Sequence, residues 1–218
     1  MSHNTWIHRT VRVGVKPIAR TRVTPNQVTA LRLFTGIAAA GLIAVGDDPW
    51  DDIGAALFML SILLDRADGE LARMTKKFSP SGHAFDLFSD ALCNLLIFVA
   101  IGVGLRGGGI LGYWAIPMGV VAGIFIALNL WVVMNIEDAK GTRAAEMKSF
   151  WGFDADDGML LVPILIWMEL DVVAMILAFI FAPIFMIWAA IYYTRRYGLL
   201  RLPLMGGLYA RVSARRDR

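Results

Sequence analysis

The chain has 218 residues, of which 57% are hydrophobic and 18% charged, with 21 Lys and Arg against 18 Asp and Glu. A soluble domain carries about 25% charged residues, so the composition excludes an ordinary soluble enzyme, a disordered chain and a secreted disulfide scaffold. The single cysteine, Cys93, permits no intramolecular disulfide and no thiolate metal cage. The net charge of +3 is too small to indicate a nucleic-acid partner, and none is expected.

The N-terminal arm, residues 1–24, combines basic residues with an apolar repeat. Apolar residues recur there at spacings of four, four and three: Ile7, Val11, Val15 and Ile18. This pattern predicts an amphipathic helix at the surface of an anionic membrane leaflet, with Pro17 breaking or kinking it near its end. The alternative is a disordered basic tail that only follows the charge rule for membrane topology.

Long stretches with few charges predict six membrane-spanning helices. The predicted spans are Val28–Val45, Ile53–Arg73, Phe85–Leu105, Leu111–Asn135, Gly158–Leu170 and Val172–Tyr193. The fifth is short, because its thirteen residues reach about 20 Å against about 30 Å of hydrocarbon. It either extends backward through residues 154–157 or is re-entrant, and the cation distribution argues against re-entry. Alternating-polarity strands are absent from the sequence, which favours an all-α integral membrane protein over a β-barrel.

The distribution of cations predicts the topology. Of the 21 Lys and Arg, 18 fall on one side of the predicted spans, only Arg106 falls on the other, and Arg32 and Arg66 lie within spans. Both termini are therefore expected in the cytoplasm, in a protein of a bacterial-type inner membrane. The predicted organisation is the basic arm, a six-helix domain over residues 25–197, and a basic cytoplasmic tail over residues 198–218.

Most of the candidate catalytic and binding residues lie near the end of the second predicted span. On a helix with about 100° per residue, five residues share an arc of about 140°: Asp65, Asp68, Gly69, Ala72 and Arg73. In the next helix Asp86 and Asp90 are four residues apart and share a face. A short turn between these helices makes them antiparallel neighbours. Four carboxylates are therefore expected to converge at the cytoplasmic edge of the bilayer.

The negative charge of four carboxylates in a membrane protein must be neutralised. An Asp deep in a spanning helix costs roughly 2.5–3.5 kcal/mol. Only Arg66 and Arg73 are expected to be near enough to pair, and Arg66 is predicted to point about 100° away from Asp65. Carboxylate ligands suit hard divalent cations, so Mg²⁺ or Mn²⁺ is the predicted compensation.

These residues follow one fixed spacing: Asp65-x2-Asp68-Gly69-x2-Ala72-Arg73-x8-Gly82-x3-Asp86-x3-Asp90. The spacing resembles the signature of the CDP-alcohol phosphotransferase family at all eight defined positions, over 26 residues. The preceding segment TPNQVTALRL also looks like that family, and the resemblance covers roughly residues 6–197. It implies a homodimeric membrane enzyme of phospholipid synthesis that transfers a phosphoalcohol from a CDP-linked donor to an acceptor hydroxyl and releases CMP.

The resemblance also implies site roles. Asp65 and Asp86 would each bind both of two divalent cations, and Asp68 would bind one. Asp90 would bind the other cation and accept the proton of the acceptor hydroxyl. The predicted CDP-donor site contains nine residues: Pro25, Asn26, Gln27, Val28, Gly69, Ala72, Arg73, Ser79 and Gly82. Within it, the small Gly69 and Ala72 leave room for the nucleotide, and the Arg73 fork suits a phosphate.

The acceptor is ambiguous at the level of sequence. Four cations lie at the predicted cytoplasmic mouth and suit a phosphorylated polyol such as glycerol phosphate or inositol phosphate: Arg143, Lys148, Arg195 and Arg196. The acidic residues at 154–157 would instead suit an amino alcohol. Alternatively, both clusters serve only to determine the membrane topology. We expect CDP-diacylglycerol as the donor and a small soluble alcohol as the acceptor. The alternative is a soluble CDP-alcohol donor with a lipid acceptor.

Two other classes of membrane protein use intramembrane acids. A prenyltransferase also binds a pyrophosphate through Asp clusters and Mg²⁺, but such enzymes place their Asp motifs in two separated loops. An ion or proton carrier needs polar residues through the membrane depth, and the outer halves of these spans are apolar. Both are therefore less favoured alternatives.

Overall fold

The computed structural model of the chain describes residues 6–140 and 155–197, and every regular element in these two ranges is a helix. The α-helices are α1 (Trp6–Ile18), α2 (Pro25–Ile43), α3 (Trp50–Thr75), α4 (Pro80–Gly104), α5 (Ala115–Lys140), α6 (Leu161–Trp167) and α7 (Asp171–Tyr197). Short 3₁₀ helices lie at Leu105–Gly107, Gly112–Trp114 and Ala155–Leu160. The all-α prediction is confirmed for these ranges, and the predicted tail, residues 198–218, lies outside them.

Local sequence signals explain where α2 and α4 begin. At α2, the Thr24 hydroxyl accepts the Gln27 N–H at 3.4 Å, and the Gln27 side-chain oxygen accepts the Thr24 N–H at 2.9 Å. This reciprocal pair is a capping box. At α4, the Ser79 hydroxyl accepts the Gly82 N–H at 3.0 Å. Both helices have proline as their first residue, where its missing N–H costs nothing.

The predicted antiparallel arrangement of α3 and α4 depends on the turn between them. Helix α3 ends at Lys76, which has a left-handed backbone conformation with φ of 55°. This conformation commonly terminates helices. The chain then reverses within three residues and enters α4 at Pro80. The C-terminal end of α3, the N-terminal end of α4 and the N-terminal end of α2 consequently lie at the same end of the bundle.

Helices α2, α3 and α4 pack closely just beyond this end. A Cβ added to Gly36 of α2 would overlap the Sγ of Cys93 on α4 and lie 3.1 Å from the Ser61 hydroxyl on α3. Ser61 also donates to the Arg32 carbonyl at 3.0 Å. Cys93 is only 2% exposed. The spacing of the three helices is therefore fixed about one turn from the acidic residues.

Three of the predicted spans coincide with helices long and apolar enough to cross a membrane: Ser81–Gly107, Gly112–Val132 and Asp171–Tyr192. Helices α2 and α3 do not meet the same criterion in the described residues, and α3 carries seven charged side chains. The fifth predicted span corresponds to a shorter apolar stretch, Gly158–Trp167, whose ten residues extend about 15 Å. The chain has the helices of a membrane protein, and six spans stay a prediction.

The N-terminal arm forms helix α1 as its apolar repeat predicts, and the helix packs against the bundle; its location at a membrane surface stays a prediction. Val15 is buried with Val28 of α2 and Leu71 of α3, and Val11 packs on the same group. Ile18, the last residue of the repeat, is 38% exposed. The helix ends there, directly after Pro17.

Candidate active site

Three of the four predicted carboxylates meet in one place. Asp65 and Asp68 on α3 and Asp86 on α4 each bring a carboxylate oxygen to within 4.8 Å of the other two. Asp68 is only 4% exposed, and its Oδ2 accepts a hydrogen bond from the Thr29 hydroxyl of α2 at 2.7 Å. The convergence expected from helix periodicity and the short turn is therefore present in the structure.

A buried arginine, which the sequence analysis placed in a span without giving it a role, joins this group to the fourth carboxylate. Arg32 of α2 is 3% exposed. Its Nη1 lies 2.9 Å from Asp65 Oδ1 and 3.3 Å from Asp86 Oδ1. Its Nη2 lies 2.5 Å from Asp90 Oδ1, which also accepts from the Asn94 side-chain amide at 3.0 Å. One guanidinium thus contacts acids on two neighbouring helices.

The expectation that only Arg66 and Arg73 could pair with these acids is wrong. Arg32 makes three of the ion pairs, and Arg66 Nη1 reaches Asp65 Oδ2 at 2.8 Å despite its different helix face. Arg73 instead pairs with Glu70 at 2.8 Å. The signal for Arg32 was present in the sequence, because a lone cation in an apolar span indicates an ionic partner or a functional site.

Some of the predicted donor-site residues contact one another. The Arg73 guanidinium lies over Gly69, where an added Cβ would lie 3.6 Å from Nη2. The N-terminal ends of α2 and α4 touch, because a Cβ on Gly82 would lie 2.6 Å from the Asn26 side-chain oxygen and 2.8 Å from the Ser79 hydroxyl. A larger residue at position 82 would therefore displace the side chains of Asn26 and Ser79 from their present positions.

Other predicted donor residues have structural partners of their own. Gln27 forms the capping box with Thr24. The side chain of Val28 is buried against Val15 and Leu71. The Pro25 carbonyl accepts a hydrogen bond from the Thr29 hydroxyl at 3.1 Å. Ala72 lies one helical turn after Asp68 and is partly exposed.

The predicted acceptor residues divide into two groups. Arg143 and Lys148 lie outside the described residues. Arg195 and Arg196 lie in the last turn of α7, and Arg195 is exposed. The acidic residues that suited an amino alcohol fall at Asp154, outside the described residues, and in the 3₁₀ helix Ala155–Leu160.

The oxygen-only donor set fits divalent cations of the Mg²⁺ type. Among the described residues, the guanidiniums of Arg32 and Arg66 pair with three of the four carboxylates, those of Asp65, Asp86 and Asp90. An excess of negative charge remains, and Asp68 contributes a buried carboxylate to it. Asp65, Asp68 and Asp86 are the residues that would hold a cation.

A second group of three carboxylates lies in the turn before α3 and in its first residues: Asp48, Asp51 and Asp52. Asp48 and Asp52 are exposed, and mutual repulsion with Asp51 and Asp52 raises the pKa of Asp48. This group is at the opposite end of α3 from Asp65 and Asp68, and exposed acids of this kind are common without a ligand. Substitutions in this group can therefore serve as controls for substitutions of Asp65, Asp68 and Asp86.

Comparison with known proteins confirms the family resemblance. The sequence profile described as CDP-alcohol phosphatidyltransferase matches residues 22–194. The chain is also similar to a protein from Rubrobacter xylanophilus (strain DSM 9941 / JCM 11954 / NBRC 16129 / PRD-1) named "Bifunctional IPC transferase and DIPP synthase", with 37% identity over 98 residues. That alignment covers 44% of this chain and 22% of the relative, so the chain matches less than a quarter of the relative's length. The profile match spans most of the chain, which therefore belongs to the CDP-alcohol phosphatidyltransferase family.

Proposed function

We propose that this enzyme transfers a phosphatidyl group from CDP-diacylglycerol to the hydroxyl of a small polar alcohol and releases CMP. The observation that carries the proposal is the meeting of Asp65, Asp68 and Asp86, with Asp90 held beside them by Arg32. A pyrophosphate donor needs charge neutralisation on one side and a proton acceptor for the attacking alcohol on the other. These residues provide both functions in one place.

Each residue has a distinct part in the proposed reaction. Divalent cations held by Asp65, Asp68 and Asp86 would neutralise charge on the donor pyrophosphate and on the leaving CMP. Asp90 accepts the proton as the acceptor oxygen bonds to phosphorus, and the bond from that phosphorus to the CMP oxygen breaks. Arg73 grips a donor phosphate through its planar fork.

Further residues complete the proposed donor site. Gly69 and Ala72 leave one helix face low enough for the nucleotide to lie against it, and Ser79 and Gly82 line the start of α4 beside residues 25–28 of α2. The four predicted acceptor residues would hold a phosphorylated alcohol. A soluble CDP-alcohol with a lipid acceptor would use the same carboxylates. Family membership argues against a prenyltransferase or a carrier.

The direct test is release of CMP by purified enzyme from CDP-diacylglycerol and radiolabelled alcohols. We expect EDTA to abolish release, Mg²⁺ or Mn²⁺ to restore it, and both Asp65→Ala and Asp86→Ala to lose cation binding and turnover. Asp51→Ala removes a carboxylate from the opposite end of α3 and is the matched control, which should retain activity. Full activity in chelator or in either site variant would contradict the cation-dependent reaction. Label transfer only from a soluble CDP-alcohol to lipid would establish the alternative direction.

We also propose that the protein spans a bacterial-type inner membrane six times, as a homodimer, with both termini and the active site in the cytoplasm. The three apolar helices and the 18-to-1 distribution of flanking cations support the topology. In intact cells, Ser2→Cys and Asp217→Cys should be protected from an impermeant thiol reagent and should react after permeabilisation. The native chain is the control, because its single cysteine is 2% exposed. Labelling of either variant in intact cells would contradict six spans.

A further inference from the structure

Glu70 is a buried acid that the signature spacing leaves unspecified. It lies on α3 between Gly69 and Arg73, and it is only 2% exposed. A buried carboxylate is costly unless it is paired and hydrogen-bonded. Its partners therefore indicate what it does.

The partners of Glu70 come from two different helices. Arg12 of α1 donates to it twice, from Nε to Oε2 at 3.1 Å and from Nη2 to Oε1 at 3.3 Å. Arg73 donates from Nη2 to Oε1 at 2.8 Å. The two arginines thus share one carboxylate, with its Oε1 contacting both. Charge-assisted bonds with two donors from one guanidinium fix its orientation as well as its position.

This contact determines where the Arg73 guanidinium points. The guanidinium lies over Gly69, with Nη2 and Nη1 at 3.6 Å and 3.8 Å from the position of an added Cβ. Its Nε has no hydrogen-bond partner among the described residues. Glu70 therefore holds Nη2 of Arg73, and the planar guanidinium lies above the position where Gly69 lacks a side chain.

The same contact ties Arg73 to α1. Val15 of α1 is buried against Leu71, the residue next to Glu70, and Arg12 lies about one helical turn before Val15. The apolar contact and the ion pair dock α1 on the segment of α3 that carries Arg73. Displacement of α1 would remove Arg12 from Glu70.

We propose that Glu70 is a positioning residue, which orients Arg73 toward the donor phosphate and makes donor binding depend on the docking of α1 through Arg12. The inference rests on the proposed function, because it takes Arg73 as a ligand of the CDP-linked donor. Glu70 and Arg12 themselves touch neither donor nor acceptor. Their effect is expected on donor affinity rather than on the chemical step.

The test is a set of donor-binding measurements on the full chain, by calorimetry with CDP-diacylglycerol in micelles, together with kcat and KM. Hydrogen bonds to charged groups are worth enough to change an equilibrium about 10- to 100-fold. Glu70→Gln should weaken donor binding by about that factor, with kcat changed much less. Arg12→Ala should weaken donor binding in the same direction. Lys16→Ala, an exposed cation on the same helix, should bind the donor as the native chain does.

A double-mutant comparison distinguishes a positioning role of Glu70 from a merely structural one. In an Arg73→Ala background, adding Glu70→Gln should cause no further loss of donor affinity, because the residue acts through Arg73. Additive losses in the two backgrounds would overturn the proposal, as would native donor affinity in both Glu70→Gln and Arg12→Ala. If Glu70→Gln does not fold, Arg12→Ala alone and combined with Arg73→Ala gives the same comparison. A native chain that binds no CDP-linked lipid would overturn the proposed function itself.

Discussion

Asp90→Asn is expected to lower turnover by about 10²–10⁴, while binding of the CDP-linked donor falls much less. The asparagine oxygen can still accept from Arg32 Nη2 and from the Asn94 amide, which both bond to Asp90 Oδ1. The variant therefore keeps the local geometry, but its amide cannot take the proton of the acceptor hydroxyl. Turnover would be measured by CMP release and donor binding by calorimetry.

Arg73→Lys is the matched variant for this prediction and should behave in the opposite way. Lysine cannot form the bidentate contact of a guanidinium with a phosphate, so donor affinity should fall while the proton acceptor stays in place. An Asp90→Asn protein that loses donor binding as severely as turnover would show that Asp90 is mainly a cation ligand. The assignment of Asp90 as the base would then be wrong.

Among these substitutions, loss of the buried Arg32 guanidinium should lower the stability of the protein most. Arg32→Gln leaves Asp65, Asp86 and Asp90 without their shared guanidinium, and breaking a buried ion pair in this way costs about 3–5 kcal/mol. We expect the free energy of unfolding in detergent to fall by about that amount in EDTA. Mg²⁺ or Mn²⁺ should recover part of the loss, because a bound cation would compensate the same carboxylates.

Arg106→Gln is the control for Arg32→Gln. Arg106 is exposed, and its Nη1 donates to the carbonyls of Ala44 and Val103 at 2.9 Å and 2.6 Å. Its loss should cost about 1 kcal/mol and should not respond to divalent cations. Native stability of Arg32→Gln in chelator would mean that the acids are compensated by another route.

Periodicity was sufficient to predict the acidic site, because it is built from one helix face, one short turn and the next helix face. Asp65 and Asp68 are three residues apart, and Lys76 ends α3 soon enough for Asp86 to return beside them. These are local relationships that a helical angle of about 100° per residue describes well.

Contacts between residues far apart in the sequence could not be predicted in the same way. The contact of Arg32 with Asp90 joins residues 58 positions apart, and no spacing rule connects them. The error at Arg66 has a different cause, since a helical wheel describes the direction of Cβ and ignores the reach of a long side chain. Arg66 bends back to Asp65. The fifth span was difficult because a short apolar run has the same composition whether it crosses a membrane or not.

The tight contact at Gly36, Ser61 and Cys93 has a consequence for how the protein can change. The four carboxylates and the partners described for them, from Thr29 to Asn94, lie on three consecutive helices, α2, α3 and α4, that this contact holds together. The ion pairs and hydrogen bonds described for the carboxylate group lie within this segment. We therefore expect substitutions in α7, which carries Arg195 and Arg196, to change the choice of acceptor more than the geometry of the carboxylates.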